Sequence, residues 1–356
     1  MSAAAGTGAG AGDNLKPGNA VAAALGEVGL PAPISELAAR DWDAVVVGGG
    51  HNGLTAAAYL ARAGQSVLVL EQRERLGGAA TLERPFADRR FVCSPCAYVV
   101  GLLDPKVIAE LGLRDRGLRY WLADPDMWVP FEDGSSFGEF QDDARTQASL
   151  EALGVAKADI DGYWAYNALF RRIRLQLRHG ERDAWEGESP SREEIEAMLD
   201  GDEEMIGVVF EDSVASVIER YVSDQRLQDS LFGGGVIGTW AGPRDPGTAG
   251  VKLMHRQGSL DGESSSWGYV EGGMGMVSFA IADAAREAGA TLACGVPVAR
   301  VRPGEGVELE DGTLIRARTV RRRARPGGSS PRWCPRRRCS RARACRPSAR
   351  RTSATS

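Results

Sequence analysis

Residues 43–78, DAVVVGGGHNGLTAAAYLARAGQSVLVLEQRERLGG, constrain this chain more than any other stretch. Residues 44–47 are an apolar, mostly β-branched run, the pattern of a parallel strand buried on both faces. That run leads directly into Gly48-x-Gly50-x-x-Gly53. The first glycine permits a tight turn, the second lets backbone approach a pyrophosphate, and the third lets the next helix pack closely on the strand. Residues 54–63 carry Ala and Leu at helical spacing, with Gly64 where a C-terminal cap belongs. The start of such a helix presents free N–H groups and a positive dipole end to phosphate. A second strand, residues 66–70, ends at Glu71, placed to accept hydrogen bonds from ribose hydroxyls. Glycines alone would say little in a chain with 45 of them. Strand, glycines, helix, strand and terminal acid within one unit specify a dinucleotide-binding βαβ fold.

Glu71 also restricts the nucleotide. A carboxylate there repels a 2′-phosphate, which leaves FAD or NAD and excludes NADP. Arg75-Leu-Gly77-Gly78 follows at once. This second glycine pair is either an ordinary turn after a strand or a further backbone contact suited to the longer span of FAD.

The segment GGGHNGLTAAAYLARAG…VLEQRERLGGAAT resembles the FAD-dependent amine oxidase and phytoene desaturase superfamily, within it the branch of pyridine nucleotide-disulfide oxidoreductase domain-containing protein 2. The block from Trp267 through Tyr269, Gly272 and Gly273 to Gly275 matches the family's W-x-Y-x-x-GG-x-G, and the runs at 296–301 and 308–313 follow in the family's order. The resemblance covers residues 41–320. It implies an α/β fold, with a Rossmann-like FAD-binding domain and an inserted, largely helical substrate domain. It also implies FAD held by Gly48, Gly50, Gly53, Glu71, Arg75, Gly77 and Gly78, with the backbone of Val298 on the adenine. The superfamily's R-x-G-G-R motif keeps Arg75, Gly77 and Gly78 but has Ala79 in place of its second Arg.

Cys93-Ser-Pro-Cys96 opens a rival reading as a flavin disulfide reductase. In the glutathione reductase type, however, redox cysteines follow the second glycine pair almost immediately. The thioredoxin reductase type places the pair in a separate nicotinamide domain with its own strand–glycine–helix fingerprint, and no second unit of that kind is read here. Too few His lie nearby for a zinc site, so no metal is expected. Cys93 and Cys96 are read as packing residues, and Cys294 as core.

The organisation expected is a disordered Ala/Gly-rich leader (1–40), a first part of the FAD domain (41–100), a substrate or cap domain (101–265) and the FAD domain's second part (266–320). An Arg-rich disordered tail (321–356) completes the chain. Within the cap, residues 102–150 read as short elements and turns, with Glu132-Asp-Gly134 marking a hairpin turn. Residues 159–178 read as a helix, Ser191-Arg-Glu-Glu194 as a capping box, and residues 210–231 as two helices. Residues 181–204 hold eleven acids and two arginines, read as a solvated surface. Trp164, Tyr166, Trp240, Trp267 and Tyr269 are candidates for the wall of a substrate cavity. No catalytic acid–base pair is visible. A flavin accepts hydride at its own ring, while protein supplies position and electrostatics.

Thirteen of the last 36 residues are Arg, with no Lys and no acid; without them the chain has 30 basic against 48 acidic side chains. One reading is a nucleic-acid-binding arm. The preferred one is a frameshift near Val320, because the family's V-x-N-A-D-P continuation is replaced by Arg321-Arg-Arg-Ala-Arg-Pro326. The expected activity is FAD-dependent dehydrogenation of an organic, apolar small molecule, impaired here by the lost sequence, with no nucleic-acid partner. No apolar run approaches the roughly 20 residues of a membrane span. The expected compartment is the cytoplasm, with the mitochondrial matrix as the alternative implied by animal members of the branch.

Overall fold

The computed structural model describes residues 20–178 and 189–322. Two short helices, α1 (Ala20–Ala23) and α2 (Ile34–Ala39), precede β1 (Trp42–Val47), α3 (His51–Arg62) and β2 (Val67–Glu71). Next come α4 (Pro105–Glu110), β3 (Tyr120–Leu122), and the hairpin of β4 (Met127–Pro130) and β5 (Ser136–Glu139). Eight helices follow: α5 (Asp143–Leu153), α6 (Lys157–Gln176), α7 (Arg192–Met198), α8 (Glu203–Phe210), α9 (Val214–Tyr221), α10 (Gln225–Leu231), α11 (Gly233–Val236) and α12 (Thr248–His255). The chain returns through β6 (Ser259–Leu260), β7 (Glu263–Ser264), β8 (Gly268–Val270) and α13 (Gly275–Glu287). It then runs through β9 (Thr291–Cys294), β10 (Val298–Arg302), β11 (Gly306–Leu309) and β12 (Leu314–Arg322).

The main sheet has the order β10-β11-β12-β1-β2-β9. Its β12-β1-β2-β9 half is parallel, and β10 and β11 join it as an antiparallel extension. The continuous apolar runs of β1 and β2 follow from burial on both faces. Ala44, Val46, Val67 and Val69 enter the core shared with α3 and α13, whereas Val45, Leu68 and Leu70 enter the one shared with Leu37, Ile315 and Ala317. Helix α13 packs on α3 and is buried from Gly275 to Ala285. Phe279, fully buried there, is a site where truncation to Ala costs about 3–5 kcal/mol.

The inserted helices have their own core, from Phe137 through Tyr163, Tyr166 and Phe170 to Leu253. Helix α7 starts with the expected capping box: Glu194 N–H donates to Ser191 Oγ (3.2 Å), and Ser191 N–H to Glu194 Oε2 (2.7 Å). Gly162 lets α6 pass the end of α9, where a Cβ would sit 1.8 Å from the Tyr221 carbonyl oxygen. The α/β fold with an inserted helical domain is thus as expected.

Four expectations need correction. Residues 20–40 are not a disordered leader: Val21 and Ala22 are buried in the α3/α13 core, and Leu37 is buried on the opposite face of the sheet. The Ala/Gly-rich composition concealed them. Residues 108–122 do not belong to the cap's core, since Ile108, Leu111, Leu113 and Leu118 pack with α13 and α3. The 102–150 stretch also holds most of an eleven-residue helix, α5, capped by Asp142 accepting from Ala144 N–H (2.8 Å). Finally, Arg321 and Arg322 extend β12 beside Val46 and Val47. The rest of the Arg-rich tail, residues 1–19 and part of the acidic run lie outside the described residues.

Candidate functional site

The carboxyl ends of β1 and β12 open onto a cleft of about 330 Å³ between the first glycine loop and Gly78. Gly48 turns the chain out of β1 at φ +104°, a conformation that side-chain-bearing residues rarely adopt. Gly50 is the N-cap of α3, and no side chain caps the helix. The start of α3 is the positive end of the helix dipole, which favours an anion. At Gly53 a Cβ would lie 2.1 Å from the Gly48 carbonyl oxygen and 3.2 Å from Val46 Cγ1. This contact is the close helix–strand approach that the third glycine predicts.

The second glycine pair docks on the first. Gly77 N–H donates to the Gly49 carbonyl (2.8 Å), and Gly50 and Gly77 form a parallel bridge. A Cβ on Gly78 would lie 3.1 Å from Gly50 Cα, at a φ of +60°. Gly78 and Ala79 line the same cleft, and Gly77 lies behind them on the first glycine loop. Thr81 holds this turn by donating its hydroxyl to the Leu76 carbonyl (2.7 Å).

Glu71 is buried at the end of β2. Its Oε2 accepts from Gly49 N–H (2.7 Å) and its Oε1 from Arg73 N–H (2.9 Å). Each oxygen keeps a further lone pair, so the carboxylate can hold the loop and still accept from a ribose hydroxyl. Val296 N–H donates to the Glu71 carbonyl (2.9 Å), which brings the segment leading to Val298 alongside the same strand end. Val298 itself is half-buried at the start of β10 and does not line the cleft.

Arg75 is placed differently from a cleft residue. Its guanidinium binds Glu27 and the Leu82 carbonyl, tying the segment after α1 to the loop beyond the glycines. Sequence reasoning missed Asn52 and Arg321, which do line the cleft. Arg321 arrives there because β12 pairs with β1 in the register Val46↔Arg321, on the face that meets α3. Only strand pairing could reveal this, since the two residues are 275 positions apart.

Cys93 and Cys96 carry free thiols outside the cleft, Cys96 exposed and Cys93 held by backbone pairing with Glu83. Cys294 is buried, and burial pushes its thiol up to about 11. Of the aromatic candidates, Tyr166 is core, Trp240 is fully exposed, and Tyr269 stands exposed beside Trp121. Trp164 lines a cavity within the helical domain. Among the described residues no cluster of three or more His, Cys, Asp or Glu gathers for a metal, and no helix is long and apolar enough to cross a membrane.

Residues 46–101 match the model of the NAD(P)-binding Rossmann-like domain family. Over 309 residues the chain is 30% identical to mouse pyridine nucleotide-disulfide oxidoreductase domain-containing protein 2, covering 79% of this chain and 52% of that one. The chain is a homologue of that protein. It spans about half the length of the curated relatives it matches at this coverage. A limonene dehydrogenase polypeptide of Castellaniella defragrans is 36% identical over 39% of this chain and 23% of its own length. Phytoene desaturase of Neurospora crassa is 31% identical over 32% of this chain and 19% of its own. The fold is similar to that of putrescine oxidase, at a TM-score of 0.51 and 19% identity over 79% of this chain and 57% of the other.

Proposed function

We propose that this chain binds FAD in the glycine cleft and serves as an FAD-dependent oxidoreductase that dehydrogenates an organic, apolar substrate. The observation that carries the reading is the docking of Gly77 and Gly78 on Gly49 and Gly50, which makes two glycine turns into one cradle. A Cβ at Gly53 or Gly78 would disturb that surface, so the residues present fit a phosphate-bearing dinucleotide.

In this reading Gly48, Gly50 and the start of α3 hold the diphosphate, and Glu71 accepts from the ribose. Gly77 and Gly78 give close backbone approach, and the backbone at Val298 meets the adenine. Arg75 acts at a distance, by clamping the loop that follows Gly78 to Glu27. When bound, FAD supplies the two-electron acceptor for the reaction. The protein residues position it and exclude water. Support for an apolar substrate comes from the names of two relatives, which specify limonene and phytoene. The helical domain built around Tyr163, Phe170 and Leu253 is the proposed substrate module.

The test is whether the purified chain carries or takes up flavin, seen as a visible absorbance band that bleaches on anaerobic addition of an oxidisable substrate. A chain that takes up NAD but no FAD, or neither, overturns the proposal. The reading of residues 321–356 as out of frame has its own test in the nucleotide sequence around codons 316–322. It fails if neither alternative frame encodes a V-x-N-A-D-P-like continuation.

A further inference from the structure

A second cavity, of about 290 Å³, lies within the helical domain and shares no residue with the glycine cleft. Its walls come from the β4–β5 hairpin, α5, α6 and the segment after α12. One stripe of α6, with residues three or four apart, supplies Tyr163, Asn167, Phe170 and Arg174. The stripe faces the cavity with polar as well as apolar groups, unlike a helix side that serves only packing.

The charges on these walls are of both signs, and Arg256 feels Asp126 and Glu139 across the space without forming an ion pair with either. Arg256 stacks near the rings of Tyr166 and Phe170 and donates to Asn167 Oδ1 (2.6 Å). Arg174 is 4% exposed and reaches the Gly258 carbonyl (3.5 Å). Facing them are Asp126 and Glu139. Asp126 Oδ1 accepts only a long hydrogen bond from Trp267 N–H (3.2 Å), while the Glu139 carboxylate meets the Tyr163 hydroxyl. Among the described residues neither carboxylate forms an ion pair with Arg256 within 4.0 Å, although all three line the same space. Half-buried charges left apart in this way are costly unless something joins them. Burial and the neighbouring Glu139 push the Asp126 carboxyl up to about 6, as expected for a carboxylate short of partners.

We propose that this cavity binds a small zwitterion of the amino-acid class, its carboxylate on Arg256 and Asn167 and its ammonium on Asp126 and Glu139. A guanidinium fork suits a carboxylate, and an ammonium supplies further donors to two acids that each hold a single neutral one. The volume is at the lower end for ligand cavities, which limits the occupant to a few heavy atoms beyond that dipole. The site goes beyond the flavin reading and does not depend on it, because no atom of the glycine cleft takes part.

The test is calorimetric titration of the purified full chain with three probes of similar size: alanine, propionate and propylamine. Alanine is expected to bind at least 10-fold more tightly than either of the others. Arg256→Gln and Asp126→Asn should each weaken alanine at least 10-fold. Glu36→Gln, at an exposed position on α2, serves as a mock variant and should leave binding unchanged. Near-UV circular dichroism establishes that each variant keeps its packed aromatic core. If a variant unfolds, the comparison of the three probes on the unaltered chain still decides. Propionate binding as tightly as alanine would make this an anion site and overturn the proposal, as would equal binding of propylamine or no binding of any probe. Flavin uptake measured on the same preparation reports separately on the proposed oxidoreductase function.

Discussion

Substituting Gly53 by Ala tests the central geometric claim, that α3 reaches the glycine cleft only because nothing stands between it and β1. The added Cβ would meet the Gly48 carbonyl oxygen at 2.1 Å. An ordinary carbon–oxygen contact is about 3.3–3.6 Å, so roughly 1.2 Å or more of separation must be found. Val46 Cγ1, at 3.2 Å, blocks relief in its direction. The helix must therefore shift away from the sheet, loosening Leu54, Ala57 and Ala58, all fully buried. Overpacking of this kind costs about 1–3 kcal/mol, and at about 2–4 °C per kcal/mol the melting temperature should fall by roughly 2–12 °C. The same shift moves the N-terminus of α3, so ADP affinity should fall at least about 10-fold, the equivalent of 1.4 kcal/mol. Gly64→Ala is the control. Its φ of +81° strains an alanine by about 1–2 kcal/mol, but its Cβ meets nothing within 4 Å. It should lower the melting point without altering ADP binding. Thermal unfolding and ADP titration of both variants decide the matter. A Gly53→Ala chain that melts within a degree of the unaltered one and binds ADP equally well would refute the reasoning.

Glu71→Gln keeps the shape but leaves a single acceptor oxygen for Gly49 N–H and Arg73 N–H, so one buried donor loses its partner at about 1–3 kcal/mol. Weaker binding of ADP and FAD, measured by fluorescence quenching, is the expected result. Asp283 on α13 is 5% exposed, and burial pushes its carboxyl up to about 6. With the folded value above the unfolded one, its contribution is fully favourable below about pH 4 and is lost as pH rises towards 6. Asp283→Asn should then stabilise the chain at pH 7.5 by on the order of 2 kcal/mol, with the gain shrinking in melts below pH 5; equal melting curves at both pH values would count against it. Cys93→Ser and Cys96→Ser should leave flavin uptake and any substrate-dependent bleaching intact, and loss of turnover in both would restore the disulfide reductase reading.

The nucleotide-binding unit was legible in the sequence because its information is local. β1, the glycines, α3, β2 and Glu71 lie within 30 consecutive residues, and each glycine has a steric reason that one strand and one helix suffice to state. The capping box at Ser191 and the hairpin turn around Gly134 were legible for the same reason. Residues 20–40 were not, because their role rests on Val21 and Ala22 meeting α13 and on Gly26, whose missing Cβ leaves room for Phe279. Nothing within the leader itself signals that contact. Arg75 was assigned to the cofactor by motif, and its partners Glu27 and the Leu82 carbonyl come from segments that the motif does not include.

What the sequence by itself determined is a Rossmann-like βαβ unit and the acid at its end, since backbone conformation over a short span needs only nearest neighbours. Tertiary structure decided what surrounds that unit. Strand register brought Arg321 beside Val46, the pairing of Gly50 with Gly77 merged two turns into one cleft, and the packing of α6 against the β4–β5 hairpin gathered Asp126, Glu139 and Arg256 around a single cavity. These groups come from distant parts of the chain. Their proximity depends on which apolar faces bury one another, and no local pattern carries that information.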